Sequence, residues 1–570
     1  MEGYFVRTLG MHRVYNSAFM NMLRNEDNAS YRTVMKNTLE FDPEILKRFV
    51  NFMNNPDERT AVDQFGKGDK YFGICLVMAT LPGLPMFGHG QIEGFSEKYG
   101  MEFRHANWDE QVDTYLVERH QREIFPLLHR RALFAGVENF LLYDFFTPEG
   151  TVNEDVFAYS NSLGDEHGLV IYHNKFAETR GWVRTSVGFS VKSGDSRVVV
   201  QRTLGDGLNI HPDDDVYVTF RDATTNLSYI RPSCELGEQG LYVELSAYKY
   251  HAFVDFRQVK DDAWGSYQRL CDYLGGRGVP NIQEALQELL LSPVLTPFRQ
   301  IANPGYFFYL LNSKLSTETP ALPPGLLDEA VQKMSNLVDG IKYLSNLNPD
   351  TASFLSETRR SLDAILSLPL IEQRYPLPGG KAYQTTLDFL ASGLESDTSW
   401  LALVGWAFVH NLGKLATAEG FEFQSLSWLD EWQLSKQLAE TYRFMGKDES
   451  TANSLISTIR MLVDQQDWYA RLGKLPLKEV LNQWLADAEV ARFLGVNRYK
   501  DVLWFNKESL EKFAWWMVVV ATIAAVADPN ASAAGVIEQV LGAYDIAQKL
   551  LKAEKGSGYQ VQKLIETAEK

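Results

Sequence analysis

Asp57 is the carboxylate in this sequence whose surroundings best suit chemistry. It follows the largely apolar run Phe49-Val50-Asn51-Phe52-Met53 and is flanked by Asn54, Asn55 and Pro56 before it and by Glu58 and Arg59 after it. Further on, Leu81-Pro82-Gly83-Leu84-Pro85-Met86-Phe87 gives way to Gly88-His89-Gly90-Gln91-Ile92-Glu93-Gly94. An apolar strand that stops abruptly at polar and acidic side chains is how a parallel barrel presents reactive groups at the C-terminal mouths of its strands. Neutral imidazole and amide groups such as those of His89 and Gln91 suit recognition of hydroxyls. Asn-Pro-Asp-Glu also reads as a turn capping the next helix, since these residues dominate turns. His89 likewise reads either as a sugar-lining group or as a structural hydrogen-bonder in its loop.

The elements that must position these groups come in three blocks. Residues 1–148 mix helical patterns with strand-like runs. Asp42-Pro43-Glu44 opens a helical turn, with proline tolerated at the first position and an acid favoured there. Phe49–Met53 supplies a buried strand, Tyr71–Thr80 the next helix or strand, and Trp108–Phe134 a long helix carrying Glu118, Arg119, His120 and Arg122. Residues 149–259 change to short alternating strands separated by Gly, Asn and Asp turns, the pattern of an antiparallel sandwich. Residues 260–555 are helical. Asn281-Ile282-Gln283-Glu284 resembles a capping box, and Ile282, Ala285, Leu286, Leu289 and Leu290 fall on one face before Pro293, which is expected to stop that helix. Trp400, Leu403, Val404 and Ala407 repeat the stripe, and breaks are expected at Pro320–Gly325 and Pro376–Gly380. Residues 556–570 read as a loosely held tail.

The paired segments resemble the seventh and eighth strand motifs of the alpha-amylase family, glycoside hydrolase family thirteen. The resemblance covers residues 1–258, with its specific motifs between 49 and 100, and the small β domain behind the barrel agrees with it. It implies the C-terminal portion of a (β/α)₈ TIM barrel, then an antiparallel β-sandwich, with the large all-α domain outside the likeness. It places Asp57 on the family's third essential carboxylate, the transition-state stabiliser of a retaining double displacement on α-linked glucans, and Asn55, Arg59, His89 and Gln91 at the substrate. The usual His immediately before that carboxylate is replaced by Pro56, which offers a hydroxyl no donor. The nucleophile and general acid belong to earlier strands and are expected upstream of Met1, so the sequence reads as an inactive fragment of a glycoside hydrolase. The alternative is a non-catalytic carbohydrate-binding or scaffold protein of the same fold. Tyr4, Arg7, His12, Arg13, Tyr15 and Asn16 read either as outer sugar contacts or as an ordinary helix and loop.

Composition narrows the partners. A formal charge of −18 repels polyanions, and no basic run interleaved with aromatics offsets it, so nucleic acid is not expected. The three cysteines, Cys75, Cys234 and Cys271, show no paired spacing for zinc or disulfides. With the absence of a basic-then-apolar leader after Met1, this gives a cytoplasmic expectation. Asp213-Asp214-Asp215 lacks the alternating ligands of a calcium loop and reads as a solvated turn. No metal or cofactor is expected, and the helical region is the candidate for protein contacts. The apolar run Phe513–Ala527 falls short of the ~20 residues a spanning helix needs and reads as a buried core helix.

Overall fold

The computed structural model describes residues 2–193, 196–472 and 475–568. They form two compact units, residues 1–289 and 290–570.

The first unit opens with three parallel strands in the order β1 (Val14–Tyr15), β2 (Phe49–Phe52), β3 (Leu84–Met86). The register pairs Val14 with Phe49 and Phe52 with Met86. Helices Ser17–Arg24 and Asn28–Phe41 and the 3₁₀ turn Pro43–Arg48 connect β1 to β2, and helices Ala61–Phe65 and Asp69–Thr80 connect β2 to β3. Parallel neighbours joined by helical crossovers are the repeating unit of barrels and doubly wound sheets alike. The turn after Asp42 forms as expected, with its carboxylate accepting from the Glu44 amide and Pro43 at the first position. All four residues of β2 are buried, which explains their near-continuous apolar character.

The helix Asp69–Thr80 is buried from Tyr71 to Thr80, so its pattern lacks the usual polar face. Gly73 lets it lie directly on the sheet behind it: a Cβ there would sit 2.1 Å from the Tyr172 ring. The segment expected as one helix over Trp108–Phe134 starts at Thr114 and is interrupted. A π-helical turn spans His120–Ile124, and the chain breaks at Arg130 between Phe125–His129 and Arg131–Ala135. Pro126 lies at the start of Phe125–His129 and lacks the N–H that would continue the i→i−4 ladder across the π-helical turn.

The strands expected for the sandwich form one continuous antiparallel sheet of eight. They are β4 (Leu141–Phe146), β5 (Val156–Leu163), β6 (Glu166–His173), β7 (Thr179–Ser186), β10 (Val216–Asp222), β11 (Leu227–Pro232), β12 (Leu241–Leu245) and β13 (Tyr250–Lys260), while β8 (Phe189–Ser193) and β9 (Ser196–Val200) make a separate hairpin. The order is β11-β10-β13-β6-β5-β4-β7-β12. Two separate hydrogen-bonded layers are not seen among the described residues because β4 bridges β5 and β7. The sheet therefore begins at Leu141, inside the segment assigned from sequence to the barrel. One core of buried side chains runs from Phe19 in the parallel part to Val254 in the antiparallel part.

Arg32 fastens the two parts together. Its side chain is fully buried and donates to the carboxylates of Asp144 and Glu154 and to the carbonyls of Tyr143 and Val156.

The second unit is helical apart from the short pair Asn497–Tyr499 and Val502–Trp504. The helix beginning at Ile282 does not stop at Pro293; it continues through Pro297 to Ile301. Pro297 has no N–H for the Pro293 carbonyl, which leaves that oxygen without its helical donor. Gly340 packs against it so closely that a Cβ would lie 2.0 Å away. The stripe expected at Trp400, Leu403, Val404 and Ala407 belongs to a helix buried on every face from Trp400 to Ala407. The expected breaks at Pro320–Gly325 and Pro376–Gly380 are non-helical. The apolar run at 513–527 lies in the helix Lys507–Ala527. It is long and apolar enough to cross a membrane, but 72 % of its apolar window is buried inside the protein. The expected loose tail is instead packed: the helix Ala533–Ser557 is followed by Val561–Thr567, with Leu564 and Ser557 wholly buried. Val561 and Leu564 give this end an apolar face, which holds it against the core.

Candidate functional site at the ends of the parallel strands

A ladder of side-chain amides sets the height of the three strand ends. Asn16, just after β1, accepts from the Phe19 amide at 3.1 Å and so caps the helix Ser17–Arg24. Its own amide donates to Asn51 Oδ1 at 2.9 Å, and Asn51 in β2 donates to the Pro82 carbonyl at 3.1 Å. Both residues are buried, where each unpaired polar atom would be costly. Asn16 is therefore a structural residue, while Tyr4 and Tyr15 stand more than half exposed, at 58 % and 51 %. Tyr15 lies edge-on to Phe52 with ring centroids 5.3 Å apart. The side chain of Arg7 lies outside the described residues.

Beyond β2 the chain turns at Asn55. Its buried Oδ1 accepts from the amides of Asp57 at 2.9 Å and Glu58 at 3.1 Å. The capping turn and the functional reading are thus compatible: Asn55 makes the turn, and the turn leaves Asp57 exposed. The Asp57 carboxylate enters no ion pair among the described residues, and Lys98 donates to its backbone carbonyl at 2.9 Å. Arg59 is exposed, 3.7 Å from Asp63.

Asn54, directly before this turn, is the residue that sequence reasoning did not single out. It is completely buried, and neither its amide nitrogen nor its oxygen has a hydrogen-bond partner. Gly88 of the neighbouring loop comes so close that a Cβ would lie 2.3 Å from Asn54 Oδ1. The sequence signal was the Asn-Asn doublet ahead of a glycine-rich loop, but its spatial pairing with Gly88 exists only in the fold.

The loop after β3 is held from inside. Gln91 is 1 % exposed; its Oε1 accepts from the Gly88 amide at 3.0 Å and its Nε2 faces Met53 Sδ at 3.3 Å. Its carbonyl accepts from the Tyr71 hydroxyl at 2.7 Å, and His120 Nε2 lies 3.2 Å from that hydroxyl. Burial pushes the Tyr71 hydroxyl pKa well up and the His120 pKa down, which keeps both neutral. Gln91 thus positions the loop, where the sequence had suggested direct contact with substrate. His89 is exposed within a ring of Phe95, Tyr99 and Phe103, whose centroids lie 6.3, 5.3 and 5.4 Å from its own. Partial burial raises the Tyr99 hydroxyl pKa, and its hydrogen bond with the His89 backbone works against that rise.

Carboxylates fold the following loop in place of regular structure. Glu110 accepts from the amides of Ser96 and Glu97 at 2.7 Å each, and Glu97 accepts from Asn107 and Trp108. These bonds, led by that from the Trp108 amide, hold the Glu97 carboxyl below its ordinary pKa. The loop presents Trp108 58 % exposed. No cluster of metal-ligating side chains occurs among the described residues, and Asp213–Asp215 is exposed as a solvated turn.

The strand ends therefore gather one unpaired exposed carboxylate, a guanidinium, an imidazole in an aromatic setting and a sealed, unpaired amide. Such a set can bind hydroxyls and stabilise positive charge.

No family model and no curated protein matches the chain. Three solved structures similar to it are a Nostoc punctiforme debranching enzyme soaked with acarbose (13 % identity, 40 % of this chain and 38 % of that one, TM-score 0.26), an Anoxybacillus alpha-amylase (10 %, 46 % and 50 %, 0.30) and a Geobacillus thermoleovorans alpha-amylase complexed with acarbose (12 %, 40 % and 43 %, 0.28). All three belong to the alpha-amylase family, the one the strand motifs resemble. The chain spans between 38 % and 50 % of their lengths.

Proposed function

We propose that the strand ends of the first unit are the α-glucan-binding face of an amylase-type retaining glycoside hydrolase, with Asp57 as its transition-state carboxylate. The observation that carries this is the convergence of the β2 and β3 ends. Asn55 turns Asp57 outward after β2, while Gln91 holds the loop that follows the neighbouring β3 and carries His89. The three strands are read as consecutive strands of a (β/α)₈ barrel. Arg59 and His89 bind sugar hydroxyls, and Asn55 and Gln91 hold the two loops at the spacing this needs. Trp108 and Tyr15 offer flat apolar faces for stacking on sugar rings.

Asp57 does not cleave a glycosidic bond alone. Double displacement also demands a nucleophile and a proton donor about 5 Å apart, and Pro56 stands where an imidazole donor would lie next to Asp57. The 570-residue chain accordingly binds maltooligosaccharide without releasing reducing sugar. Calorimetric titration with maltoheptaose, alongside a reducing-end assay, tests this. Saturable binding that Asp57→Ala weakens at least tenfold, with no new reducing ends, is expected. Turnover abolished by Asp57→Ala would place the full catalytic set in this chain, and absence of binding would remove the carbohydrate reading.

A further inference from the structure

The antiparallel sheet leaves an open pocket of about 320 Å³ where its β10, β11 and β13 meet the helix Ser266–Leu274 and the start of the helix at Ile282. A bulge shapes the sheet wall. The β10–β13 register shifts between Thr219 and Arg221, and Asp255 in the bulged strand takes a left-handed φ of 59°. Aspartate tolerates that region better than most residues, and bulges re-aim side chains beside sites. Here the re-aimed carboxylate holds two guanidinia. Its Oδ1 accepts from Arg130 at 2.6 Å and its Oδ2 from Arg221 Nε and Nη2 at 3.0 and 2.8 Å. Asn226 accepts from Arg221 Nη1 at 3.1 Å, which completes the orientation of that side chain. Burial acts to raise the Asp255 pKa, but the two arginines outweigh it and hold the pKa down, so the carboxylate stays charged and engaged.

Other donors of the same lining are not engaged. Arg257, two residues beyond Asp255, is exposed, and its guanidinium makes no hydrogen bond or ion pair among the described residues. The hydroxyls of Thr219 and Ser228 likewise have no partner among them, and neither is sealed from solvent. The exposed Tyr267 hydroxyl accepts from Gln283 Nε2 at 3.1 Å and keeps its own proton to donate. These four groups come from β13, β10, β11 and the helix Ser266–Leu274, and all line the pocket.

We infer that this pocket is a binding site for a small oxyanion, with a phosphate group as its best fit. Guanidinium groups only donate, and three of them are gathered here around the one carboxylate of Asp255. A cation is therefore disfavoured. In a chain of net charge −18, this positive excess is a local feature. The free planar fork of Arg257 suits bidentate contact with an oxyanion. A phosphate group presents acceptor oxygens in several directions to donors arriving from four elements, whereas a carboxylate presents its two in one plane. The volume lies at the small end of the ~300–1,000 Å³ ligand range, enough for a phosphate with the body of a small monoester. The inference does not rest on the strand-end reading, which uses none of these residues.

The test is calorimetric titration of the full chain with inorganic phosphate at neutral pH. Saturable, one-to-one binding with a Kd of ~0.1–10 mM is expected, displaced by sulfate and not by chloride at the same ionic strength. Arg257→Gln changes an exposed side chain and should keep the fold while weakening phosphate binding at least tenfold. Arg257→Lys, which retains the charge without the fork, should fall between, and Tyr267→Phe should cost roughly two- to tenfold. Asp57→Ala should leave phosphate binding unchanged, and Arg257→Gln should leave maltoheptaose binding unchanged, which separates failure of this site from failure of the glucan-binding face. Absence of saturable phosphate binding, displacement by chloride as effective as by sulfate, or an affinity that Arg257→Gln does not alter would each overturn the assignment.

Discussion

Replacing Arg32 by Met should loosen the first unit selectively. The guanidinium is fully buried and makes contacts to two carboxylates and two backbone carbonyls that join the helix Asn28–Phe41 to the start of the antiparallel sheet. Methionine keeps most of the volume, so the loss is electrostatic. The carboxylates of Asp144 and Glu154 are 21 % and 38 % exposed and can turn to water, with Lys36 staying 3.1 Å from Asp144. The carbonyls of Tyr143 and Val156 lose a charged donor. Taking their charged donor from these carbonyls costs about 1.5–3 kcal/mol, a sizeable part of the ~5–15 kcal/mol that holds a domain. Hydrogen exchange read by mass spectrometry reports it locally. Peptides covering 28–41 and 141–160 should exchange faster by roughly one to two powers of ten, with peptides from 290–570 unchanged. Arg32→Lys should fall between, since an ammonium keeps the charge but not the planar fork. An acceleration below tenfold in both peptides would refute the view that Arg32 joins the two parts.

Gly73→Ala should destabilise the first unit by about 1–3 kcal/mol through overpacking, because the new Cβ meets the Tyr172 ring at 2.1 Å; urea unfolding would show it, and adding Tyr172→Leu should recover part of the loss. Asp464 gives the second unit a pH dependence of opposite sign to an ordinary carboxylate. Burial first, and then Asp487, raise its pKa from 3.8 to about 7. The protonated acid is thus favoured in the fold, so its contribution is complete below pH ~4 and is lost as the pH rises towards 7. The slope is at most about 1.4 kcal/mol per pH unit, reduced by the solvent that reaches the group. Asp464→Asn should flatten the fall in unfolding temperature between pH 5 and 8 relative to the unaltered chain; identical profiles would refute the assignment. Gln91→Ala should free the Gly88 amide and weaken maltoheptaose binding by about 1 kcal/mol without touching the sugar, and unchanged affinity would show that the loop holds itself.

What could be read from the sequence was whatever depends on neighbours along the chain. The apolar run at 49–52, the proline-opened turn at 43 and the strand alternation from Val156 to Phe256 all reflect local burial, and the fold follows them. Pairing between distant segments could not be read this way. Nothing local distinguishes one eight-stranded sheet from a sandwich, because β4 joins β5 and β7 through hydrogen bonds that leave no composition signal. The helix expected to end at Pro293 continues to Ile301, and the carbonyl that Pro297 frees lies against Gly340, far along the chain, a close approach that no local pattern announces. At the site, Asp57 and His89 stood out as polar residues ending apolar runs. The sealed amide of Asn54 depends on Gly88 lying across the sheet, and the inward position of Gln91 on Met53 and Tyr71, distant along the chain.

The central claim is that sugar sits at the ends of β2 and β3. Crystals of the chain soaked with maltoheptaose would test it most directly. The account predicts glucose units with hydroxyls within hydrogen-bonding distance of the Asp57 carboxylate and the His89 ring, and an intact oligosaccharide. Sugar bound elsewhere on the first unit with Asp57 free, or no ordered sugar in a chain that binds none in solution, would contradict it.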